Sequence, residues 1–317
     1  MSARLLDRVV RSEPLGTDGK SGSQLDRGWL DDGTVVVIKH ADTARDWIMQ
    51  ATGDDGRIAT LWADGVFATL PASIEHGMLA VERAAGGATV VMRDLAPALD
   101  VRAARLAVLH ERVLHVAAEL HTACAAVQPA QLCPLDAYYT FLSPAVCERF
   151  AADHLIPRLA IDGWTRFHDL VPHDVAAAIA AIHADPALLT TPLLAQPSTL
   201  VHGDLKLANL GLDGTRLVVL DWGTLTTCAP PVVDYAWYLA INAAGLGADH
   251  DRLLDHIRAV EPPGDEVALR LALLGALAQL GWEKALGATS DDAATRQRER
   301  EGLAWWVRQA RQTLDSW

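Results

Sequence analysis

The sequence reads HGDLKLAN over residues 202–209 and LDWG over residues 220–223. The two stretches together carry two carboxylates, an amide and a cation: Asp204, Asp221, Asn209 and Lys206. Phosphoryl transfer from a nucleotide needs a carboxylate at the attacking hydroxyl, oxygen ligands for Mg²⁺ and a cation on the phosphates. Because the two stretches contain all three kinds of group, they indicate a site for phosphoryl transfer.

The spacing of these residues predicts how they meet. The pair Asp213-Gly214 lies between two apolar runs, which is a strong signal for a two-residue hairpin. Such a hairpin brings Asp221 back towards Asp204 and Asn209. We expect Asp204 to orient the attacking hydroxyl and accept its proton, and we expect Asn209 and Asp221 to ligate Mg²⁺, which prefers oxygen ligands.

Residues 1–95 are predicted to form a small α+β unit. The β-branched run TVVVIKH at 34–40 follows a turn signal and predicts a buried strand that ends in a lysine. The stretch at 15–23, called here the glycine-rich loop, predicts a flexible turn between the first two strands. A helical segment at 43–70 is interrupted by two glycines, and a hairpin turns at Gly86-Gly87.

The rest of the chain has mainly helical patterns. With 317 residues the chain is about twice the length of an average domain, which favours two lobes. We therefore predict an α+β, bilobal fold with a small β-rich N-lobe at 1–95 and a larger helical C-lobe at 96–317. The clearest helical stretches cover 101–126, 175–184, 232–244, 251–260, 266–285 and 293–314.

The composition narrows the choice of partners. The chain has 27 Lys and Arg against 40 Asp and Glu, and its net charge of −13 opposes non-specific binding to nucleic acid. Its four cysteines form no CxxC pair, its N-terminus lacks the pattern of a signal peptide, and no apolar stretch reaches the ~18 residues of a membrane helix. We expect a cytoplasmic protein without a nucleic acid, a membrane or an obligate protein as partner.

The motifs, in their order along the chain, resemble those of the aminoglycoside phosphotransferase-like kinases, relatives of choline kinase and homoserine kinase with a protein-kinase-like fold. The ordered set is the glycine-rich loop, VVIKH, VVMRDL, HGDxxxxN and LDWG. Gly203 stands where protein kinases have the Arg of HRD, and Trp222 replaces the Phe of DFG. Only residues 223–233 separate the second motif from Asp234, which leaves little room for the activation segment of a protein kinase.

The resemblance implies nucleotide contacts in the first lobe. Lys39 would pair with the α- and β-phosphates of ATP or GTP, the implied co-substrate, with Mg²⁺ as cofactor. Backbone groups near Met92 and Asp94 would hydrogen-bond the adenine. The backbone of the glycine-rich loop would cover the phosphates at Gly19, Ser21, Gly22 and Ser23.

The resemblance also implies roles in the second lobe. Lys206 would contact the γ-phosphate, and a solvated loop lysine is an equal alternative. His202 and Asp234 would brace the HGD loop, the name used here for residues 202–209. Glu283, on a late helix where family members often build the acceptor pocket, would meet a cation of the acceptor, and the alternative is a solvent-facing charge.

One residue departs from the family pattern. An acidic residue on the helix after the lysine strand pairs with the lysine in the family, and this sequence has Ile58 there. Asp54 or Asp55 could substitute. The expected function is transfer of the γ-phosphate to a hydroxyl of a small molecule such as an aminoglycoside, amino sugar, sugar or amino alcohol. The alternative is a nucleotide-binding pseudokinase or regulatory module without transfer activity.

Overall fold

A computed structural model describes residues 5–16, 21–100, 105–246, 250–260 and 266–315. The first lobe is built on a five-stranded antiparallel sheet with the order β1-β2-β3-β6-β5. Its strands are β1 (Val9–Pro14), β2 (Gln24–Leu30), β3 (Val35–Asp42), β5 (Met78–Ala84) and β6 (Gly87–Arg93), and the short strand β4 (Ile74–Glu75) precedes β5.

Strand β3 shows how the sequence pattern places a lysine at the site. Side chains alternate between the two faces of a strand. Val36 and Ile38 are buried in a small apolar cluster with Leu30 and Val91 on one face of the sheet. Lys39 therefore points to the opposite face, where it lines a cavity.

The helical segment after β3 is broken, as its two glycines predict. Helix α1 (Trp47–Thr52) ends at Gly53, and helix α2 (Arg57–Ala63) starts after Gly56; both glycines have positive φ angles, of 65° and 114°. The side chain of Asp46 caps the start of α1 by accepting hydrogen bonds from two backbone N–H groups.

The second lobe is mostly helical, which confirms the predicted α+β class. Its long helix α12 is buried along most of its length and packs against α7, α10 and α13. The helices are α3 (Ala96–Leu99), α4 (Leu106–Ala123), α5 (Leu135–Thr140), α6 (Pro144–Cys147), α7 (Leu155–Leu170), α8 (His173–Ala184), α9 (Ala187–Leu194), α10 (Val232–Leu246), α11 (His250–Val260), α12 (Glu266–Ala288) and α13 (Ala293–Leu314).

Four short strands lie inside the helical lobe: β7 (Thr199–Val201), β8 (Leu210–Asp213), β9 (Arg216–Val219) and β10 (Thr227–Ala229). The predicted hairpin joins β8 to β9, but its two-residue turn is Gly214-Thr215, because Asp213 still pairs with Arg216. The turn is thus one residue later than the sequence predicts.

Strand β4, from the N-terminal part of the chain, runs parallel to β9 in the three-stranded sheet β4-β9-β8. The hairpin β8–β9, which leads to Asp221, is therefore hydrogen-bonded to a strand from the N-terminal part of the chain.

Within the described ranges, no single helix is long and apolar enough to cross a membrane. Helices α8 and α9, which meet at a bend of 79°, are long and apolar enough only when they are taken together.

Candidate active site

The HGD loop is held in shape by a buried carboxylate. Asp234, at the start of α10, accepts hydrogen bonds from the backbone N–H groups of His202 (2.8 Å) and Gly203 (2.7 Å). His121 Nε2, from α4, donates to the same carboxylate at 3.1 Å. Burial by itself raises the pKa of Asp234, but the hydrogen bonds from His121 and from the backbone N–H of Gly203 hold the pKa below its usual value. Asp234 is thus an ionised brace under the loop.

His202 is a second brace and is neutral. Its Nε2–H donates to the carbonyl of Leu220 at 3.0 Å, so Nδ1 is the nitrogen that accepts the N–H of Asp204, at 3.1 Å. Burial lowers the pKa of His202, which agrees with an uncharged ring. The edge-to-face contact with Trp222, at 4.5 Å between ring centroids, joins the HGD loop to the DWG loop (residues 221–223).

Asp204 lies at the centre of the candidate site, and only 6% of its surface is exposed. Its Oδ2 accepts from Lys206 Nζ at 2.5 Å and from Asn209 Nδ2 at 3.0 Å. Its Oδ1 is buried and has no hydrogen-bond partner in the described part of the chain. Burial raises the pKa of Asp204, the charge of Asp221 adds to this, and Lys206 opposes it. The structure thus leaves one carboxylate oxygen of Asp204 open to a further donor.

Asp221 brings together the cations of both lobes. It is the one non-glycine residue with a positive φ angle, 67°, among the described residues. Its Oδ1 forms an ion pair with Lys39 of β3, and its Oδ2 lies 4.0 Å from Lys206 Nζ. Burial would raise the pKa of Asp221, but Lys39 and Lys206 hold the pKa well below its usual range. Burial likewise lowers the pKa of Lys39, and Asp221 more than offsets this.

A cavity between the sheet and the DWG loop is lined by this ion pair. Lys39 and Asp221 line it together with Trp222 and Thr224. The remaining wall includes Asp54 and His76 and is otherwise apolar, with Ala41, Met49, Ile58, Met78, Val90 and Met92. Apolar walls with a few polar and charged groups are typical of a small-molecule site.

Neither candidate substitute for the missing acidic residue pairs with Lys39 in the described part of the chain. Asp54 Oδ1 accepts from the backbone N–H groups of Gly56 and Arg57, at 2.8 and 2.6 Å, at the start of α2. The Asp55 side chain is exposed and accepts from Gln131 at 3.2 Å. The structure gives Lys39 a different partner, Asp221.

Position 58 contacts the DWG loop directly. A Cβ added at Gly223, whose φ angle is 112°, would lie 2.9 Å from Cβ of Ile58, so Gly223 has no room for a side chain. The neighbouring Arg57 is buried and donates through Nη1 to the carbonyl of Thr224 at 2.5 Å. Helix α2 therefore supports the DWG loop by packing and by a backbone contact, a role of Arg57 that the sequence analysis missed.

The other predicted site residues lie around this centre. Gly19 is outside the described residues, whereas Ser21, Gly22 and Ser23 are described and lie against the start of α1. Met92 is in β6 and lines the cavity. Asp94 follows β6, and its side chain accepts from the N–H of Ala96 at 3.1 Å.

Glu283 is half-buried on α12. It lies one helical turn beyond Gln279, whose Nε2 donates to the carbonyl of Tyr138 at 2.6 Å. The hydroxyl of Tyr138 in turn donates to the carbonyl of Gly203 at 3.2 Å. The helix face that carries Glu283 is therefore linked to the HGD loop through α5.

The fold and the site together define a kinase-like phosphotransferase of small molecules. Residues 37–271 match the model of the phosphotransferase enzyme family, and the chain belongs to this family. The resemblance drawn from the motifs is thus confirmed. No curated protein sequence matches the chain at a significant level.

Solved structures with the same fold include aminoglycoside phosphotransferase APH(3'')-Id from Streptomyces rimosus, which is 18% identical, covers 83% of this chain and 94% of its own, and has a TM-score of 0.50. An apo thermostable mutant of APH(4)-Ia is 14% identical, with coverages of 98% and 96% and a TM-score of 0.52. Choline kinase LicA from Streptococcus pneumoniae is 10% identical, with coverages of 95% and 94% and a TM-score of 0.53. At these identities the likeness concerns the fold.

Proposed function

We propose that this enzyme transfers the γ-phosphate of ATP or GTP to a hydroxyl group of a small molecule. The observation that carries the proposal is the chain of ion pairs that joins Lys39, Asp221, Lys206 and Asp204, of which Lys39 and Asp221 line a cavity with mostly apolar walls. A phosphoryl transferase needs this set, because its catalysis consists mainly of positioning and charge stabilisation.

The nucleotide would lie in the apolar cavity with its phosphates at Lys39. Backbone groups near Met92 and Asp94 would receive the base, and the backbone of Ser21, Gly22 and Ser23 would cover the phosphates together with Gly19. Solved relatives support an adenine nucleotide: APH(3'')-Id is described in complex with ADP and streptomycin, APH(4)-Ia with ADP and hygromycin B, and LicA with AMP.

Asn209 and Asp221 would hold Mg²⁺. The described residues contain no cluster of three His, Cys, Asp or Glu side chains that could form a cage for a metal. Mg²⁺ usually binds through one or two carboxylates and completes its coordination with substrate phosphates and water. The amide of Asn209 is oriented by its N–H bonds to Asp204, which leaves its oxygen for a ligand. When bound, Mg²⁺ would neutralise phosphate charge.

Asp204 would receive the acceptor hydroxyl at its open Oδ1. A buried carboxylate with a raised pKa is a better proton acceptor than an exposed one, and Lys206 keeps it ionised. Because Lys206 also lies near Asp221, its ammonium group is placed to move from the carboxylates to a transferring phosphoryl group.

The acceptor would bind beside α12. The link from Glu283 through Gln279 and Tyr138 to the HGD loop supports Glu283 as a contact for an acceptor cation. An aminoglycoside, an amino sugar or an amino alcohol carries such a cation, and a neutral sugar does not. We further propose that the chain is divided into its two lobes between residues 95 and 96. We also propose that the enzyme is cytoplasmic and works without an obligate protein partner.

A coupled nucleotide-consumption assay tests the proposal. ATP and GTP are each offered with Mg²⁺ and with aminoglycosides, amino sugars, neutral sugars or amino alcohols. We expect turnover with one acceptor class and its loss in Asp204→Ala, while nucleotide binding persists. The matched control is Asp169→Ala, which removes an exposed carboxylate on α7. Near-wild-type turnover in Asp204→Ala would remove Asp204 from the mechanism.

A further inference from the structure

The end of the glycine-rich loop is fastened to the start of α1. Ser23 Oγ donates to Asp46 Oδ2 at 2.7 Å, and the carbonyl of Ser21 accepts the N–H of Trp47 at 3.1 Å. A side chain at Gly22, whose φ angle is 109°, would place its Cβ 2.2 Å from the carbonyl oxygen of Arg45. The close approach therefore requires glycine at position 22.

Asp46 joins this loop end to the cavity wall. The residue is only 4% exposed, although it is an acid in a surface loop. While Oδ2 accepts from Ser23, Oδ1 accepts from the N–H groups of Ile48 and Met49 at 2.9 and 3.1 Å. Met49 lines the same cavity as Lys39. One carboxylate thus connects the loop, the helix and the cavity.

The charge of Asp46 reaches both cations of the site. Burial lowers the pKa of Lys39 and Asp221 raises it, and Asp46 adds to the upward shift. For Lys206, burial likewise lowers the pKa, Asp204 and Asp221 raise it, and Asp46 contributes in the same direction. Asp46 is therefore close enough to the proposed phosphate site for a change in its position to alter the electrostatic potential at Lys39 and Lys206.

Resting on the proposed function, we propose that Asp46 is a positioning residue that anchors residues 21–23, the described end of the glycine-rich loop, beside the nucleotide phosphates through the hydroxyl of Ser23. The loop residues Ser21 to Ser23 then offer backbone groups to the phosphates, while the Ser23 side chain serves the anchor. Hydrogen bonds to a charged group are stronger than neutral ones, so a single bond is enough to bias a short glycine-containing loop.

The test is direct titration with ADP, which reports binding without turnover. We expect Ser23→Ala to weaken ADP binding about tenfold, because a charge-assisted hydrogen bond is lost. Ser23→Thr retains the hydroxyl and is expected to bind ADP as the wild type does. In both variants the KM for the acceptor stays unchanged.

Asp46→Asn separates anchoring from charge. An asparagine still caps α1, so the fold is retained. Removing a negative charge near bound phosphates would strengthen ADP binding if Asp46 acted only through its field, whereas a weaker anchor lowers the affinity. We expect lower affinity, and we expect Ser23→Ala combined with Asp46→Asn to be no worse than Ser23→Ala alone.

Asp292→Asn is the matched control, because Asp292 caps α13 in the same way, by accepting from Thr295 N–H at 2.7 Å. It should leave ADP binding unchanged. Wild-type affinity in Ser23→Ala, or tighter binding in Asp46→Asn, would overturn the anchor. If the wild-type enzyme itself bound no ADP, the proposed function would fall, and this inference with it.

Discussion

Replacing Asp234 by alanine tests the support of the HGD loop. The substitution removes a fully buried carboxylate and leaves three donors without their acceptor: the N–H groups of His202 and Gly203 and the Nε2–H of His121. Since two of these donors belong to the residues directly before Asp204, we expect both stability and turnover to fall.

The size of the loss can be worked from these contacts. Each buried donor left without a partner costs about 1–3 kcal/mol. With three such donors, at the lower part of this range for each, we expect Asp234→Ala to lower the free energy of unfolding by about 4 kcal/mol. At about 2 °C per kcal/mol for a long chain, the Tm should fall by about 8 °C.

The pH dependence gives an independent check. The pKa of Asp234 is lower in the folded protein than its ordinary value of 3.8. Such a group contributes stability above pH 3.8 that is lost as the pH falls towards the folded pKa. Asp234→Asn cannot titrate, so its stability should fall less steeply than that of the wild type between about pH 5 and pH 3.

The assay is thermal and urea unfolding at pH 7 and along an acid series, with turnover measured in parallel. Asp174→Ala is the control, because Asp174 forms an exposed pair with Arg311 and exposed ion pairs contribute little to stability. If Asp234→Ala melted within about 1 °C of Asp174→Ala, the carboxylate would not be the brace described above.

Two further outcomes are expected. Ile58→Glu should lower the Tm, because Ile58 packs against Gly223 and a buried carboxylate there would be costly. It should not raise turnover, because Lys39 already has Asp221 as its partner. The control Ile58→Val should melt close to the wild type. Higher turnover in Ile58→Glu than in the wild type would show that Lys39 lacks a partner. Asp204→Asn should lose turnover yet raise the Tm, because it removes a carboxylate whose charge is disfavoured by burial, as its raised pKa indicates. A lower Tm in Asp204→Asn would contradict this reading of its environment.

The sequence predicted those parts of the fold whose signals are local. The run at 34–40 alternates as a strand does, and two glycines interrupt the helix that follows it. The sequence predicts the hairpin before Asp221 because Asp-Gly is a characteristic turn pair. The predicted turn, Asp213-Gly214, lies one residue before the observed one. The bonds of His202 and Asp234 within the HGD loop are also present in the structure.

Other features depend on residues that are far apart in sequence. Helix α7 was missed, although its buried residues Ala160, Trp164 and Phe167 recur every three to four positions, because Pro157 and Gly163 argue against a helix there. The sequence analysis sought the partner of Lys39 on the helix after the lysine strand, at Asp54 or Asp55. The actual partner, Asp221, is 182 residues away, and helical spacing cannot predict it. Nor can it predict the contact of Arg57 with Thr224, which spans 167 residues.

The parallel pairing of β4 with β9 has a consequence for the way the chain is synthesised. Ile74 pairs with Leu217, which is 143 positions later, so β4 has no strand to pair with while the intervening residues are being made. At about 5–20 residues per second this interval lasts roughly 7–29 s. The strands of the five-stranded sheet all lie before residue 94, so they can pair with one another while the ribosome is still translating. The edge of β4, in contrast, stays unpaired until the hairpin β8–β9 has been made. The N-terminal part of this enzyme therefore completes its strand pairing only after the C-terminal part has been made, and the short length of β4 limits the open edge in the meantime.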